Sequence, residues 1–385
     1  MVALIIPKWY PNPIHHSLGI FIQQQAEATT PFLTTVVLYP YVCTTLKKGL
    51  WTLETEEIRG VQTVYLPYKK HIIGIAFVDK IIKFFLYFWC IYQGYLYTKN
   101  KYEKIDVVHA SVLLRTGIAA LLLKRIAKIP YIVSEHWTGY LPADGNYKGF
   151  IRKIISRIVV KNAAQIVTVS QDLAKAMQSH GLKNNYTIVR NIVKNVFLEQ
   201  NYTSPTQPHI LCVAALVDRQ KNITGILHTI ARLKIQYPTI QLECIGSGED
   251  ELILKEKIIE LQLQDNVTFV GQKTLQYIAQ KLGNASCLVL FSNYENLPCV
   301  LLEATSVGIP IIATNVGGVC EIILNEKIGK LIPPKDEEAL QQAILQYIKN
   351  PIIHEELAYR KTNAQQYNAK IIGKQLAAIY QNIIL

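Results

Sequence analysis

Glu295-Asn-Leu-Pro-Cys-Val-Leu-Leu-Glu303 is the stretch on which the reading of this chain turns. Just upstream, Ala285-Ser-Cys-Leu-Val-Leu-Phe-Ser292 is an apolar run of strand length that ends in small and polar residues. Pro298 suits a first helical turn, where its missing N–H is no loss. Gly308 and Pro310 stop that helix and start a second apolar strand, Ile309 to Thr314. Glu295 therefore falls on the loop at a strand's carboxyl end, with Asn296 and Leu297 beside it, and Glu303 lies more than one turn inside the helix. The free N–H groups near Cys299 and Val300 form a natural seat for phosphate. Two carboxylates able to hold hydroxyls, flanking such a seat, describe a pocket for a sugar nucleotide. The plain alternative is one surface Glu and one helix-face Glu with no ligand.

The rest of the chain repeats that strand-and-helix alternation. In the first half Val2–Ile6, Thr35–Tyr39, Val61–Leu66, Val107–Ala110, Tyr131–Ser134 and Gln165–Val169 read as strands, with Phe21–Ala28 and Gly117–Ala127 among the helices between them. In the second, His209–Ala214, Gln241–Ile245, Val267–Val270, Ala285–Phe291, Ile309–Thr314 and Gly329–Ile332 are strands. Thr224–Gln236, Leu252–Leu263, Leu275–Leu282, Cys299–Val307 and Glu337–Lys349 are helices. Continuous apolar strands alternating with such helices predict parallel sheets covered on both faces, hence two doubly wound α/β domains facing a cleft. The polar, proline-bearing segment Asn201–Pro208 separates residues 1–200 from 201–366. The apolar pattern of Tyr367–Leu385 predicts a final helix that crosses back onto the first domain. Open α/β sheets bind ligands beyond the carboxyl ends of their strands, so the cleft is the expected site.

The 385 residues suffice for two cores, and 50% hydrophobic against 18% charged excludes a disordered chain. Seven scattered cysteines, with no Cys-x-x-Cys pair, argue for a reducing cytosol rather than a disulfide framework or zinc site. Val2–Ile6 is too short for a signal peptide and has no basic lead-in. The net charge of +12 is lopsided: residues 1–200 carry 24 Lys and Arg against 11 Asp and Glu, and residues 201–385 carry 16 against 17. The first half therefore faces something anionic. No nucleic-acid-binding signature is present, which favours a membrane surface over nucleic acid.

The order of features resembles the family 4 glycosyltransferases of the GT-B fold, retaining enzymes that use nucleotide-diphosphate sugars. The matching pieces are Val213-Ala-Ala-Leu-Val-Asp-Arg-Gln-Lys221, Ile245-Gly-Ser-Gly248, Val267-Thr-Phe-Val-Gly271, the Glu295/Glu303 pair, and Gly308-Ile-Pro-Ile-Ile-Ala-Thr-Asn-Val-Gly-Gly318 followed by Glu321. Upstream, Trp9-Tyr-Pro11, Gly19-Ile-Phe21 and Ser134-Glu-His-Trp-Thr-Gly-Tyr140 are similar to bacterial members that build surface polysaccharides. The resemblance implies that Glu295 holds the donor sugar's hydroxyls and Glu303 the ribose, and that Lys221 neutralises the departing diphosphate. Gly246, Gly271, Asn296, Leu297, Cys299 and Val300 would line the donor. Gly19 would let the backbone approach the phosphate. His136 would stand beside the sugar, offering a hydrogen bond or its carbonyl, with Glu135, Trp137 and Tyr140 on the acceptor side.

One position departs from the pattern. Many members carry an Arg six residues before the lysine, and here that place is Ala215. Arg219, on the same loop, is the expected substitute. Gly-x-Gly-x-x-Gly is absent at Gly246-Ser-Gly248-Glu-Asp-Glu251, which argues against a dinucleotide oxidoreductase. Asp-x-Asp and metal-ligand clusters are absent too, so neither metal nor cofactor is expected.

Lys148, Arg152, Lys153, Arg157 and Lys161 recur at helical spacing, with Ile151, Ile154, Ile155, Ile158 and Val159 on the complementary face. The aromatic run Ile81–Tyr97, interrupted by Lys83 and Gln93, reads as an interfacial helix rather than a membrane span. An ordinary core-facing helix would account for either stretch. The expectation is a hexosyltransferase acting on a lipid-linked or lipopolysaccharide-type glycan, cytoplasmic and peripheral at the membrane, with Thr138–Gly149 selecting the acceptor. A nucleotide-sugar 2-epimerase on the same fold, or a non-catalytic sugar- or lipid-binding partner in polysaccharide assembly, would share most of these features.

Overall fold

Ala3, Leu4, Ile5 and Ile6 are all buried, although neighbouring strand residues point to opposite faces. Such a run needs a sheet covered on both sides. The computed structural model describes residues 1–384 apart from 17, 45, 47, 48 and 351–353, and puts this run at the centre of an eight-stranded sheet. Its strands are β1 (Val2–Pro7), β2 (Thr34–Cys43), β3 (Glu54–Ile58), β4 (Val61–Lys69), β5 (Val107–Ser111), β6 (Tyr131–Glu135), β7 (Gln165–Thr168) and β8 (Tyr186–Ile188), in the order β3-β4-β2-β1-β5-β6-β7-β8. A second sheet takes β9 (His209–Val213), β10 (Gln241–Ile245), β11 (Val267–Phe269), β12 (Cys287–Leu290), β13 (Ile311–Thr314) and β14 (Lys330–Ile332) in the order β11-β10-β9-β12-β13-β14. Two doubly wound α/β domains result, as the alternation predicts.

The first sheet is not wholly parallel. β3 runs antiparallel to β4 at the edge, from Glu54 opposite Tyr65 to Ile58 opposite Val61. Its sequence, Glu-Thr-Glu-Glu-Ile, carries no apolar alternation, because four of its five residues are exposed and the ladder to β4 holds it. Charge on an edge strand also discourages further pairing. β8, three residues at the other edge, is equally invisible to hydrophobic pattern.

The chain reverses direction across each sheet between β1 and β5 and between β9 and β12, the switch points beside which open α/β sheets bind ligands. The loops leaving β1, β6, β9 and β12 carry Trp9 to Gly19, His136 and Trp137, Ala214 to Lys221, and Ser292 to Glu295.

Five helices serve the first sheet: α1 (Ile20–Thr29), α2 (Ala76–Tyr102), α3 (Leu113–Ala127), α4 (Phe150–Asn162) and α5 (Gln171–Ser179). Leu4 and Ile6 share a core with α2 to α5, while Ile5 packs with α1 on the opposite face. The last helix, Ala369–Ile384, returns to lie on α1. A Cβ added at Gly373 would stand 1.9 Å from the Ala28 carbonyl oxygen, so only glycine permits that approach. Tyr380 reaches His109 Nδ1 at 2.7 Å, and His109 Nε2 meets Ser134 Oγ at 2.6 Å. Residue 385, part of the helix expected from the sequence, lies outside the described residues.

Candidate active site

Glu295 is 4% exposed, and one carboxylate oxygen serves two partners. It accepts the Ser292 hydroxyl at 2.7 Å and pairs with the Lys221 ammonium. Lys221 ends the short helix Asp218–Lys221, which is pinned from both sides. Asp218 accepts the Thr224 N–H and hydroxyl at 2.8 Å each, and Asp250 accepts the Asp218 N–H at 2.7 Å. Behind it, Gly246 sits at φ 145°, where a Cβ would fall 1.9 Å from the Ala214 carbonyl oxygen. The loops after β9 and β10 are thereby pressed together. Gly246 donates to the Gly271 carbonyl at 3.0 Å, and Gly271 itself faces open space. The helix Cys299–Val307 begins beyond Pro298 with no side chain capping its N-terminus, so its dipole and free N–H groups are available to an anion.

One helical turn further on, Glu303 is partly exposed yet desolvated enough to push its carboxyl up to about 7, against the opposing charge of Lys194. Burial and the neighbouring Glu303 charge raise the Cys299 thiol to about 12, so it stays neutral, and its sulfur accepts an N–H from Asn191 at 3.2 Å. Leu297 and Val300 are buried and contribute apolar packing under the loop.

The facing wall comes from the first domain. Gly19 adopts a left-handed φ of 69°, and a Cβ there would lie 2.3 Å from the Trp9 carbonyl oxygen. This contact alone demands glycine, whatever it also allows a phosphate to do. His136 packs its ring against Phe21 at 4.7 Å and is neutral, because burial lowers its imidazole to about 4. Its Nε2 is buried without a hydrogen-bond partner. Its carbonyl already accepts Asn296 Nδ2 at 3.0 Å, so the imidazole, more than the carbonyl, is what His136 has to offer.

Two acceptor-side expectations need correction. Glu135 is buried beneath the loop, where its oxygens accept the N–H groups of Leu113, His136 and Trp137 and the hydroxyl of Tyr140 at 2.8–3.1 Å. Desolvation raises its carboxyl even so. Tyr140 is buried as well. Both shape the loop from below instead of facing a substrate. Trp137 is half-buried, its ring 5.3 Å from that of Tyr140. Arg219 is exposed and turned onto Tyr294, donating to its hydroxyl at 3.1 Å.

Several contacts that join the walls escaped the sequence reading, including those made by Asn296 and Glu321, which that reading names. Asn296 spends its side chain across the cleft, accepting from Ser170 Oγ at 2.9 Å while its Nδ2 holds His136. Ser170 also caps α5, accepting from the Leu173 N–H. Glu321 accepts the N–H groups of Gln171 (3.0 Å) and Asp172 (2.9 Å) and pairs with Arg190 at 2.8 Å. A serine ahead of an apolar helical run signals the cap, but nothing in the sequence says what else it touches.

A family model described as glycosyl transferases group 1 matches residues 195–367, and one described as glycosyltransferase family 4 matches residues 53–194. The chain belongs to the family 4 glycosyltransferases. Among the curated relatives of this glycosyltransferase, N-acetyl-alpha-D-glucosaminyl L-malate synthase of Bacillus anthracis is 23% identical, over 73% of this chain and 76% of that protein. A putative colanic acid biosynthesis glycosyltransferase, WcaL of Salmonella typhimurium, is 27% identical over 49% of this chain and 48% of its own. A sucrose-phosphate synthase from Thermosynechococcus elongatus superposes over 99% of both chains, with a TM-score of 0.77 and 20% identity. Anabaena HepE, solved with UDP-glucose, does so over 99% of both with a TM-score of 0.69 and 16% identity. These likenesses establish the GT-B fold.

Proposed function

We propose that this glycosyltransferase transfers a hexose from a nucleotide-diphosphate sugar, with retention, to a lipid-linked or lipopolysaccharide-type glycan at a membrane's cytoplasmic face. The observation that carries the reading is the Lys221–Glu295 pair beside the uncapped N-terminus of Cys299–Val307, opposite His136. The diphosphate would exchange Glu295 for itself as the partner of Lys221, freeing that carboxylate for the sugar hydroxyls. As the bond from C1 to the diphosphate breaks, the acceptor oxygen bonds C1 from the same face and its proton passes to the departing phosphate oxygen. Lys221 and the helix N-terminus hold the charge that gathers there, with no metal required. UDP-glucose in the HepE structure and colanic acid in the name of the WcaL relative support the donor and acceptor classes.

The helical layer of the first domain supports a membrane partner. α2, α3 and α4 together carry eleven basic residues and a single acid, Asp79, which is buried and accepts the N–H groups of Ile72 and Ile73. Phe85 is 67% exposed, and Phe77 and Trp89 stand out beside it. An apolar groove of about 610 Å³ between α2 and α3 is lined by Ile81, Phe85, Trp89, Leu122 and Ile126. No helix among the described residues is long and apolar enough to cross a membrane. Aromatic side chains on a cationic layer suit the surface of an anionic bilayer. On α4, Ile151, Ile154 and Ile158 are exposed instead of covered, which extends the same surface.

The test is a thermal-shift screen of UDP-, GDP- and ADP-hexoses followed by acceptor-free hydrolysis of whichever donor stabilises the protein. One donor should raise the melting temperature and be slowly hydrolysed, and Glu295→Ala should abolish both effects. Release of an epimer from donor alone would point instead to the epimerase.

A further inference from the structure

Lys8 stands between two indole rings, its ammonium 4.5 Å from the centre of Trp9 and 5.9 Å from that of Trp137. The guanidinium carbon of Arg152 lies 5.7 Å from the same Trp137 ring. Arg115, its guanidinium 5.1 Å over the Tyr87 ring, is near enough for its charge to act on Lys8. Burial lowers the Lys8 ammonium, against the pull of Glu135, and the charges of Arg115 and Arg152 lower it further. No ion pair among the described residues involves any of the three. The one acid beneath them, Glu135, is fully buried and already taken by four donors.

Like charges gathered at a partly desolvated spot repel one another unless a counter-charge arrives. The place is also informative. Trp137 follows His136, whose carbonyl binds Asn296 of the opposite domain, and the Trp9 carbonyl lies against Gly19. The cluster therefore lies on the first domain's wall of the cleft. The Lys221 phosphate seat is on the second domain. Next to Arg152, Phe150 and Ile151 begin α4 at 78% and 72% exposed.

We propose that Lys8, Arg115 and Arg152, framed by Trp9 and Trp137, bind a phosphate or diphosphate ester carried by the acceptor. Three cations converging from separate elements suit a multiply charged, many-oxygened group better than one carboxylate, and arginine matches phosphate oxygens in pairs. The indoles offer flat apolar faces to whatever the phosphate is esterified to. The exposed start of α4 gives an apolar chain somewhere to lie. The inference rests on the transferase reading and adds to it the class of acceptor.

The experiment compares binding to phosphatidylcholine vesicles doped with a polyprenyl diphosphate and to vesicles charge-matched with phosphatidylglycerol, following tryptophan fluorescence. Preference for the diphosphate is expected, and Lys8→Ala with Arg152→Ala should weaken it at least tenfold, on the order of one lost charge-assisted contact. Arg115→Ala should act in the same direction. Lys221→Gln, which alters only the opposite wall, should leave the preference unchanged. Competition by inorganic pyrophosphate would show that the phosphoryl group alone is recognised, as on a soluble acceptor, and its failure would show that the lipid ester is. Equal binding to the two vesicle types, or an undiminished preference in the double variant, overturns the proposal. Donor-induced thermal stabilisation of the Lys8, Arg115 and Arg152 variants is the separate readout of the transferase reading and should match the unaltered protein.

Discussion

The Lys221 ammonium rests on the same Glu295 oxygen that accepts the Ser292 hydroxyl, with both charged side chains almost wholly buried. The cation proposed for the phosphate and the carboxylate proposed for the sugar thus neutralise each other in the absence of a donor. Removing one partner strands the other's charge. Lys221→Ala and Glu295→Ala should each cost roughly 3 kcal/mol in chemical denaturation. The double variant should lose clearly less than the sum. Strict additivity would mean that the pair is not coupled.

Glu303 sets a pH dependence. Its carboxyl is pushed up to about 7 by burial, and the proposed contact with the ribose hydroxyls is strongest from the ionised form. Donor affinity should therefore increase as pH rises through 7, and Glu303→Gln should give a flat, weak profile by calorimetry. For stability the sign reverses. A carboxyl raised in the folded state stabilises it fully below the ordinary carboxylate range, and that contribution is lost as pH rises through 7. Glu303→Gln should therefore melt about 2 °C higher than the unaltered protein at pH 8 while binding donor less well.

His136, lowered to about 4, stays neutral across the working range. The turnover number should show no inflection of an ordinary histidine near pH 6.5. His136→Ala should reduce it by about 100-fold while leaving the donor-induced thermal shift in place. Loss of that shift would assign His136 to donor binding alone.

Glu321 bolts the second domain to the start of α5 through two N–H groups and Arg190. Cleft closure is what completes such a site. Glu321→Ala should widen the molecule in small-angle scattering and lower turnover more than it weakens donor binding. An unchanged radius of gyration would remove the bolt from the account.

Phe85 and Trp89 test the membrane surface. Changing both to serine should abolish sedimentation with phosphatidylglycerol vesicles at low salt and leave acceptor-free donor hydrolysis intact. Binding by the unaltered protein should fall as ionic strength rises. Persistence in high salt would mean that the cationic layer takes no part.

The sequence by itself determined the strand-and-helix order and the two-domain fold. It also placed Glu295 and His136 at strand ends, Lys221 on the loop after a strand and Glu303 inside a helix. Apolar runs, prolines and glycines are local signals, and they are read along the chain. Tertiary structure alone decided what those residues touch. It buried Glu135 and Tyr140 beneath a loop, turned Arg219 onto Tyr294, and joined Asn296 to Ser170 and His136 across the cleft. It also brought Lys8 and Arg152, which are far apart in sequence, onto the ring of Trp137. Charged edge strands such as β3, and partnerships between side chains on different domains, leave no periodic trace, because the energies that fix them come from groups distant in the chain.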